Sequence, residues 1–196
     1  MANEIKSICV FCGSSPGASP AYAAASAALG RTLGRRGLRL VYGGGNRGLM
    51  GVLATEAKRG GAEVIGVIPE RLHELVEHPE LSRLVVTKDM HERKAVMAEL
   101  SDAFIALPGG TGTLEELFEA LTWRQIGYHA KPVGLLDVAF FWEPLMSFLR
   151  HAADEGFIHP AHLEELAVGE DPDALIVALE AMPPPSTLKL PERRRD

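Results

Sequence analysis

Residues 103 to 116 read AFIALPGGTGTLEE, and the order of events in this stretch decides the fold. Ala103–Leu107 is a short unbroken apolar run, the pattern of a strand buried on both faces. A glycine-rich turn follows it. From Thr113 the spacing becomes helical and continues to Ile126. Strand, glycine turn and helix form the repeating unit of a parallel sheet, in which each helix carries the chain back across one face.

The same unit recurs on both sides of this stretch. Strands are expected at Ile5–Phe11, Leu38–Tyr42, Glu63–Ile68, Arg83–Val86, Ala103–Leu107 and Val133–Leu136. Between them lie expected helices at Pro20–Arg35, Leu49–Arg59, Met90–Leu100, Thr113–Ile126 and Phe140–Glu155. A last helix should follow Asp171, which with Pro172 supplies a cap and a first-turn proline. The reading is an α/β chain with a doubly wound parallel sheet and helices on both faces. Residues 1 to 182 are expected to form one domain. PPPSTLKLPERRRD, residues 183 to 196, is expected to be a proline-rich, basic flexible tail.

Three strands end in glycine-rich turns: CGSSPG (12 to 17), YGGGNRGLMG (42 to 51) and LPGGTGT (107 to 113). Open α/β sheets bind ligands at the carboxyl ends of their strands. There glycine lets the backbone approach a ligand, and the next helix offers free N–H groups to an anion. Three such turns point to a phosphorylated ligand, with Gly13, Ser14, Gly44, Gly45 and the 109 to 113 loop as candidate contacts. No G-x-x-x-x-G-K-[ST] occurs, so a P-loop NTPase is not indicated. GGGNRG (43 to 48) fits the bare G-x-G-x-x-G spacing, but it follows the second strand and has no well-placed acid beyond it. Hydride transfer is therefore not favoured.

Two clusters carry the chemistry. Thr113 to Glu116 has the T-x-x-E spacing of a capping box, which explains Glu116 as structure. The same carboxylate beside a phosphate loop also lies where it can stabilise positive charge on a sugar ring or position a water. Asp89-Met90-His91-Glu92-Arg93-Lys94 opens a helix, with Asp89 as its cap. Its cations are either surface charges or donors to an anionic ligand. Residue types and spacing leave both pairs of readings open.

The rest of the composition narrows the class. With 20 Lys+Arg against 26 Asp+Glu the formal charge is −6, which argues against nucleic acid or an anionic membrane as partner. No apolar run spans a bilayer and no signal-peptide pattern precedes the first strand, so a cytoplasmic location is expected. Cys9 and Cys12 are spaced C-x-x-C, but they sit in a strand-like run on opposite faces and lack further zinc ligands. They are expected to be buried, reduced thiols.

CVFCGSS (9 to 15), VYGGGNRGLMG (41 to 51), MHERKAVM (90 to 97), LPGGTGTLEE (107 to 116) and TWRQIGYHAKPVGLL (122 to 136) together resemble the LOG family. Its members are cytokinin riboside 5′-monophosphate phosphoribohydrolases, once labelled lysine decarboxylases. The resemblance implies a modified Rossmann fold and hydrolysis of the N-glycosidic bond of AMP or of an N6-substituted adenosine monophosphate. It places catalysis on Arg93 and Glu116. Lys94 and the backbone of Gly109, Gly110, Thr111, Gly112 and Thr113 would hold phosphate or ribose. Glu115, Thr122 and Met90 would line the site, and Glu74 is the nearest match to a further family glutamate. No metal, NAD or pyridoxal phosphate is implied. Family members are homodimers with the site near the interface, and the helix face of Leu114, Leu117, Phe118 and Leu121 is one candidate contact. Two rivals remain: a pyridoxal phosphate decarboxylase, for which no lysine has a clear setting, and a non-catalytic nucleotide-binding or sensor module.

Overall fold

The structure is a computed structural model, and it describes residues 3–185. Seven strands form one sheet: β1 (Ser7–Phe11), β2 (Arg39–Tyr42), β3 (Val64–Pro69), β4 (Arg83–Thr87), β5 (Ala103–Ala106), β6 (Val133–Leu136) and β7 (Leu166–Gly169). Their order is β4-β3-β2-β1-β5-β6-β7, and every neighbouring pair is parallel. The helices are α1 (Pro20–Arg35), α2 (Gly48–Arg59), α3 (Glu70–His73), α4 (Met90–Glu99), α5 (Thr111–Gln125), α6 (Glu143–Asp154), α7 (Pro160–Glu164) and α8 (Pro172–Ala181).

Strand periodicity sends alternate side chains of β1 to opposite faces of the sheet. Ile8 and Val10 join the core with Leu29, Leu33, Leu53 and Ile176, beneath α1, α2 and α8. Cys9 and Phe11 join the core with Met97, Leu117, Trp142 and Leu149, beneath α4, α5 and α6. The sheet is thus covered on both sides, as continuous apolar strands require. Cys9 and Cys12 fall in the two different cores as buried free thiols, and burial pushes both well above the usual thiol range.

Connections from β1 run one way through β2 to β4, while those from β5 run the other way to β7. The reversal lies between β1 and β5, and it opens a crevice at their carboxyl ends. All three glycine-rich turns lie at this edge of the sheet.

Several local expectations change. β7 and α7 are additional elements; β7 is a short edge strand whose residues are mostly half-exposed or exposed, so LAVG lacks a buried-strand signature. α3 likewise adds a single turn after β3. α6 begins at Glu143, later than the expected Phe140, because Ala139 and Phe140 have positive φ and the Asp137 carboxylate accepts from the Val138 and Trp142 N–H groups. Most important, α5 begins at Thr111 with Gly110 as its cap, so Thr113 is a helical residue and there is no Thr113–Glu116 capping box. The expected tail lies outside the described residues from position 186 onward. Before that point, the Pro183 carbonyl accepts a hydrogen bond from Arg124.

Candidate active site

α4 and α5 each deliver one charged side chain to the same spot. Asp89 caps α4 by accepting from the His91 and Glu92 N–H groups, as its position in the sequence suggests. That sets the helix so that Arg93, one turn in, reaches back over the sheet edge. Its Nε donates to the Val67 carbonyl of β3 at 3.0 Å, and its Nη1 donates to Glu116 Oε1 at 2.7 Å. The two side chains are only 7% and 8% exposed. Burial raises the pKa of Glu116 above the usual carboxylate value, and the Arg93 charge and hydrogen bond offset that rise only in part. The result is a desolvated carboxylate with one oxygen held by a guanidinium.

The pair forms part of the wall of a cavity of about 370 Å³. Beside it stands the N-terminus of α5. Gly110 offers no side-chain cap, and the first intrahelical bond runs from Leu114 N to Gly110 O. The N–H groups of Thr111, Gly112 and Thr113 are therefore left without helical partners at the positive end of the helix dipole, a ready site for an anion. Met50, Ile68, Leu72, Val76 and Met90 supply an apolar side to the same cavity. One side thus suits a phosphate and another an apolar group, with an ion-paired carboxylate on the same wall.

Of the residues singled out from sequence, Gly13, Ser14, Gly45, Met90, Arg93, Gly110, Thr111, Gly112, Thr113, Glu115 and Glu116 line this cavity together. The others stand elsewhere. Gly109 lines a neighbouring cavity of about 230 Å³ that shares the Gly13, Ser14 and Gly110 wall. Gly44 is buried behind the turn, where its carbonyl accepts from His78 Nδ1 at 2.6 Å. Lys94, next to Arg93 and about 100° round the helix, turns to α5. There it pairs with Glu115 and, at 3.1 Å, with Glu119. Thr122 is exposed farther along α5, away from the cavity wall. Glu74 is also exposed off the wall; Leu72 and Val76, one turn apart, face the cavity instead. Leu117 is core, while Leu114, Phe118 and Leu121 pack against that core as half-buried residues.

Sequence reading missed Gly43, Arg47 and the apolar residues Met50, Ile68, Leu72 and Val76. Gly43 is needed for close approach: a Cβ there would lie 2.6 Å from Arg93 Nη2. Gly43 and Arg47 were both visible in YGGGNRGLMG, but nothing local says which glycine faces an arginine from a helix farther along the chain. Among the described residues no lysine lines the cavity, and no three His, Cys, Asp or Glu side chains are grouped to hold a metal ion.

Comparison with known proteins adds the following. Residues 50–179 match the family model described as possible lysine decarboxylase. A cytokinin riboside 5′-monophosphate phosphoribohydrolase of Rhodococcoides fascians is 49% identical over 90% of this chain and 90% of its own length. One from Arabidopsis thaliana is 46% identical, over 91% and 84% respectively. Among solved structures, a molybdenum cofactor binding protein from Rippkaea orientalis superposes with a TM-score of 0.65 at 26% identity, covering 89% of this chain and 95% of that one.

Proposed function

We infer the reaction from membership: this chain belongs to the family described as possible lysine decarboxylase, and its relatives at 46% and 49% identity are cytokinin riboside 5′-monophosphate phosphoribohydrolases. It is a phosphoribohydrolase, a hydrolase of N-glycosyl bonds. Water replaces the base at C1′ of a nucleoside 5′-monophosphate, leaving free base and ribose 5-phosphate. The substrates in this reading are cytokinin riboside monophosphate and AMP.

The buried Arg93–Glu116 pair beside an open helix N-terminus is the observation that carries the assignment of roles. In our scheme the 5′-phosphate sits on the Gly110–Thr113 N–H groups and fixes the ribose. Glu116 then faces the ring, where its negative charge stabilises the oxocarbenium-like transition state or orients the attacking water. Arg93 opposes the burial that raises the Glu116 pKa and holds the carboxylate in place as the base departs. A monophosphate anchor explains the lack of a P-loop lysine, since no phosphoryl group is transferred. Lys94, engaged by Glu115 and Glu119, acts in this scheme by fixing α4 against α5.

Glu116→Gln keeps an oxygen to accept from Arg93, so it removes the negative charge while preserving the hydrogen bond that positions the pair. It should reduce base release from AMP and isopentenyladenosine monophosphate by at least ~100-fold while still binding nucleotide. Chromatography of the reaction mixtures measures this, and near wild-type turnover would sink the assignment. The likeness to a molybdenum cofactor binding protein favours one rival, a carrier or sensor without catalysis. That rival predicts nucleotide binding and no base release from the wild-type protein. The proposed homodimer, in a cytoplasmic protein, predicts a light-scattering mass of twice the 21.1 kDa chain.

A further inference from the structure

We propose that Arg47 clamps the 5′-phosphate and makes the site select a nucleoside monophosphate over the matching nucleoside. The inference rests on the phosphoribohydrolase reading and adds a residue to it. The α5 N-terminus presents roughly half a unit of positive charge, whereas a phosphate monoester carries about −1.5 to −2 at neutral pH. More positive charge is needed to match it.

Two cationic side chains line the cavity among the described residues, Arg93 and Arg47. The Arg93 guanidinium is occupied by Glu116 and the Val67 carbonyl. Lys94, the other cation implied by resemblance, is turned to Glu115 and Glu119. Arg47 is different. Its side chain has no hydrogen bond or ion pair to any described residue, whereas Arg31, Arg35, Arg36, Arg39 and Arg59 all pair with carboxylates. A cation left unpaired on a cavity wall, in a chain of net charge −6, is available to an anionic ligand.

The backbone keeps Arg47 at the phosphate end. It is the residue before α2, and the start of that helix is seated on the first glycine turn. Leu49 N donates to Gly13 O at 3.0 Å, and Gly48, at φ +58°, is so close that a Cβ would lie 2.4 Å from the Ser14 carbonyl carbon. Gly13 N in turn donates to Pro108 O at 3.1 Å, at the head of the loop that leads into α5. Three turns are thus tied together by backbone contacts, which hold the start of α2, with Arg47, next to the loop that carries the free N–H groups of Thr111–Thr113 on the same cavity wall. A guanidinium presents a planar fork of donors that fits two phosphate oxygens at once.

The test uses Arg47→Ala and Arg47→Lys in the full chain, with thermal melting to confirm folding. Steady-state kinetics are measured on AMP and adenosine, and ribose 5-phosphate binding is measured by calorimetry. In Arg47→Ala, KM for AMP and Kd for ribose 5-phosphate should each rise about tenfold or more, the usual loss for a hydrogen bond to a charged group. The kcat on AMP should stay within about twofold. Arg47→Lys, which keeps the charge but not the fork, should recover part of the loss, and kcat/KM on adenosine should not change. An unchanged Kd for ribose 5-phosphate would make Arg47 a solvated surface residue and overturn the proposal. Equal losses on AMP and adenosine would overturn it too, as a general disturbance of the site. If the wild-type protein released no base, the hydrolase reading would fail, while the calorimetry would still decide the role of Arg47.

Discussion

At position 43 an added Cβ would stand 2.6 Å from Arg93 Nη2 and 3.3 Å from Met50 Cε. The guanidinium cannot simply move aside, because Nε and Nη1 are already held by Val67 O and Glu116. Gly43→Ala should therefore shift the Arg93–Glu116 pair without removing any charged group. We expect kcat to fall about 100-fold, the scale of a misplacement near 1 Å, with nucleotide binding largely kept; kinetics paired with calorimetry measure both. At this scale the sequence was only half legible. It offered Glu116 as cap or catalyst and Arg93 as surface charge or ligand donor. The choice depends on their meeting in a buried site, and no local pattern carries that long-range contact. Glu116 looked like a cap because T-x-x-E fits one, yet helix α5 starts earlier, at a glycine whose flanking N–H groups are left for a ligand.

Among the elements, the segment from α3 to Leu81 is the least expected, having read as connection alone. Its Leu72 and Val76 form part of the apolar side of the cavity. It is tied to the second glycine turn by a relay: His78 Nδ1 donates to Gly44 O, leaving Nε2 to accept from His73 Nδ1 at 2.9 Å. Asn46 N also donates to Glu77 O at 3.1 Å. An apolar wall held in this way suits an isoprenoid group on the base. Leu72→Ala should lower kcat/KM for isopentenyladenosine monophosphate by up to roughly tenfold, the value of one or two lost apolar contacts, and that for AMP much less. Competition between the two nucleotides in one assay measures the ratio, and equal losses would count against this placement of the substituent. Strands β1, β2, β3, β5 and β6 were readable because buried parallel strands are continuous apolar runs, and the half-exposed edge strand β4 was readable from its apolar Leu84-Val85-Val86 run. The edge strand β7 and the one-turn helix α3 bury too little to leave such a mark.

For the molecule as a whole, one half-buried histidine sets a pH limit on stability. His129 packs against Phe104 of β5, and its Nδ1 accepts the Lys131 N–H. Burial, with Lys131 and Arg124 nearby, lowers its pKa to about 4. An unfolded chain takes up this proton near the ordinary histidine value of about 6.5. The His129 contribution is therefore complete above that pH and is lost as pH falls from there through about 4. Urea unfolding across this window should show declining stability, and His129→Gln, which cannot titrate, should flatten the slope. The doubly wound class was legible from alternation alone, and so was the crevice at the strand ends where the candidate site lies. The strand order was not, because the sequence does not say that β5 returns to lie beside β1.

That return has a consequence for how the protein is made. β1 pairs with β5 at Ile8↔Ala103 and Phe11↔Ala106, bringing together segments far apart in the chain. Such contacts close large loops and form slowly compared with local ones. Arg93 also rests on β3, while Glu116 follows β5, so their ion pair spans the ends of the intervening β2 and β1. During synthesis the first four strands and α4 emerge before the strand that brings the glutamate. Until β5 docks, the nascent chain holds an arginine without its partner and a glycine loop without its phosphate helix. In the proposed scheme the site is therefore assembled only when β5 and α5 dock, and a chain folded only as far as α4 has no means of attacking the nucleotide pool around it.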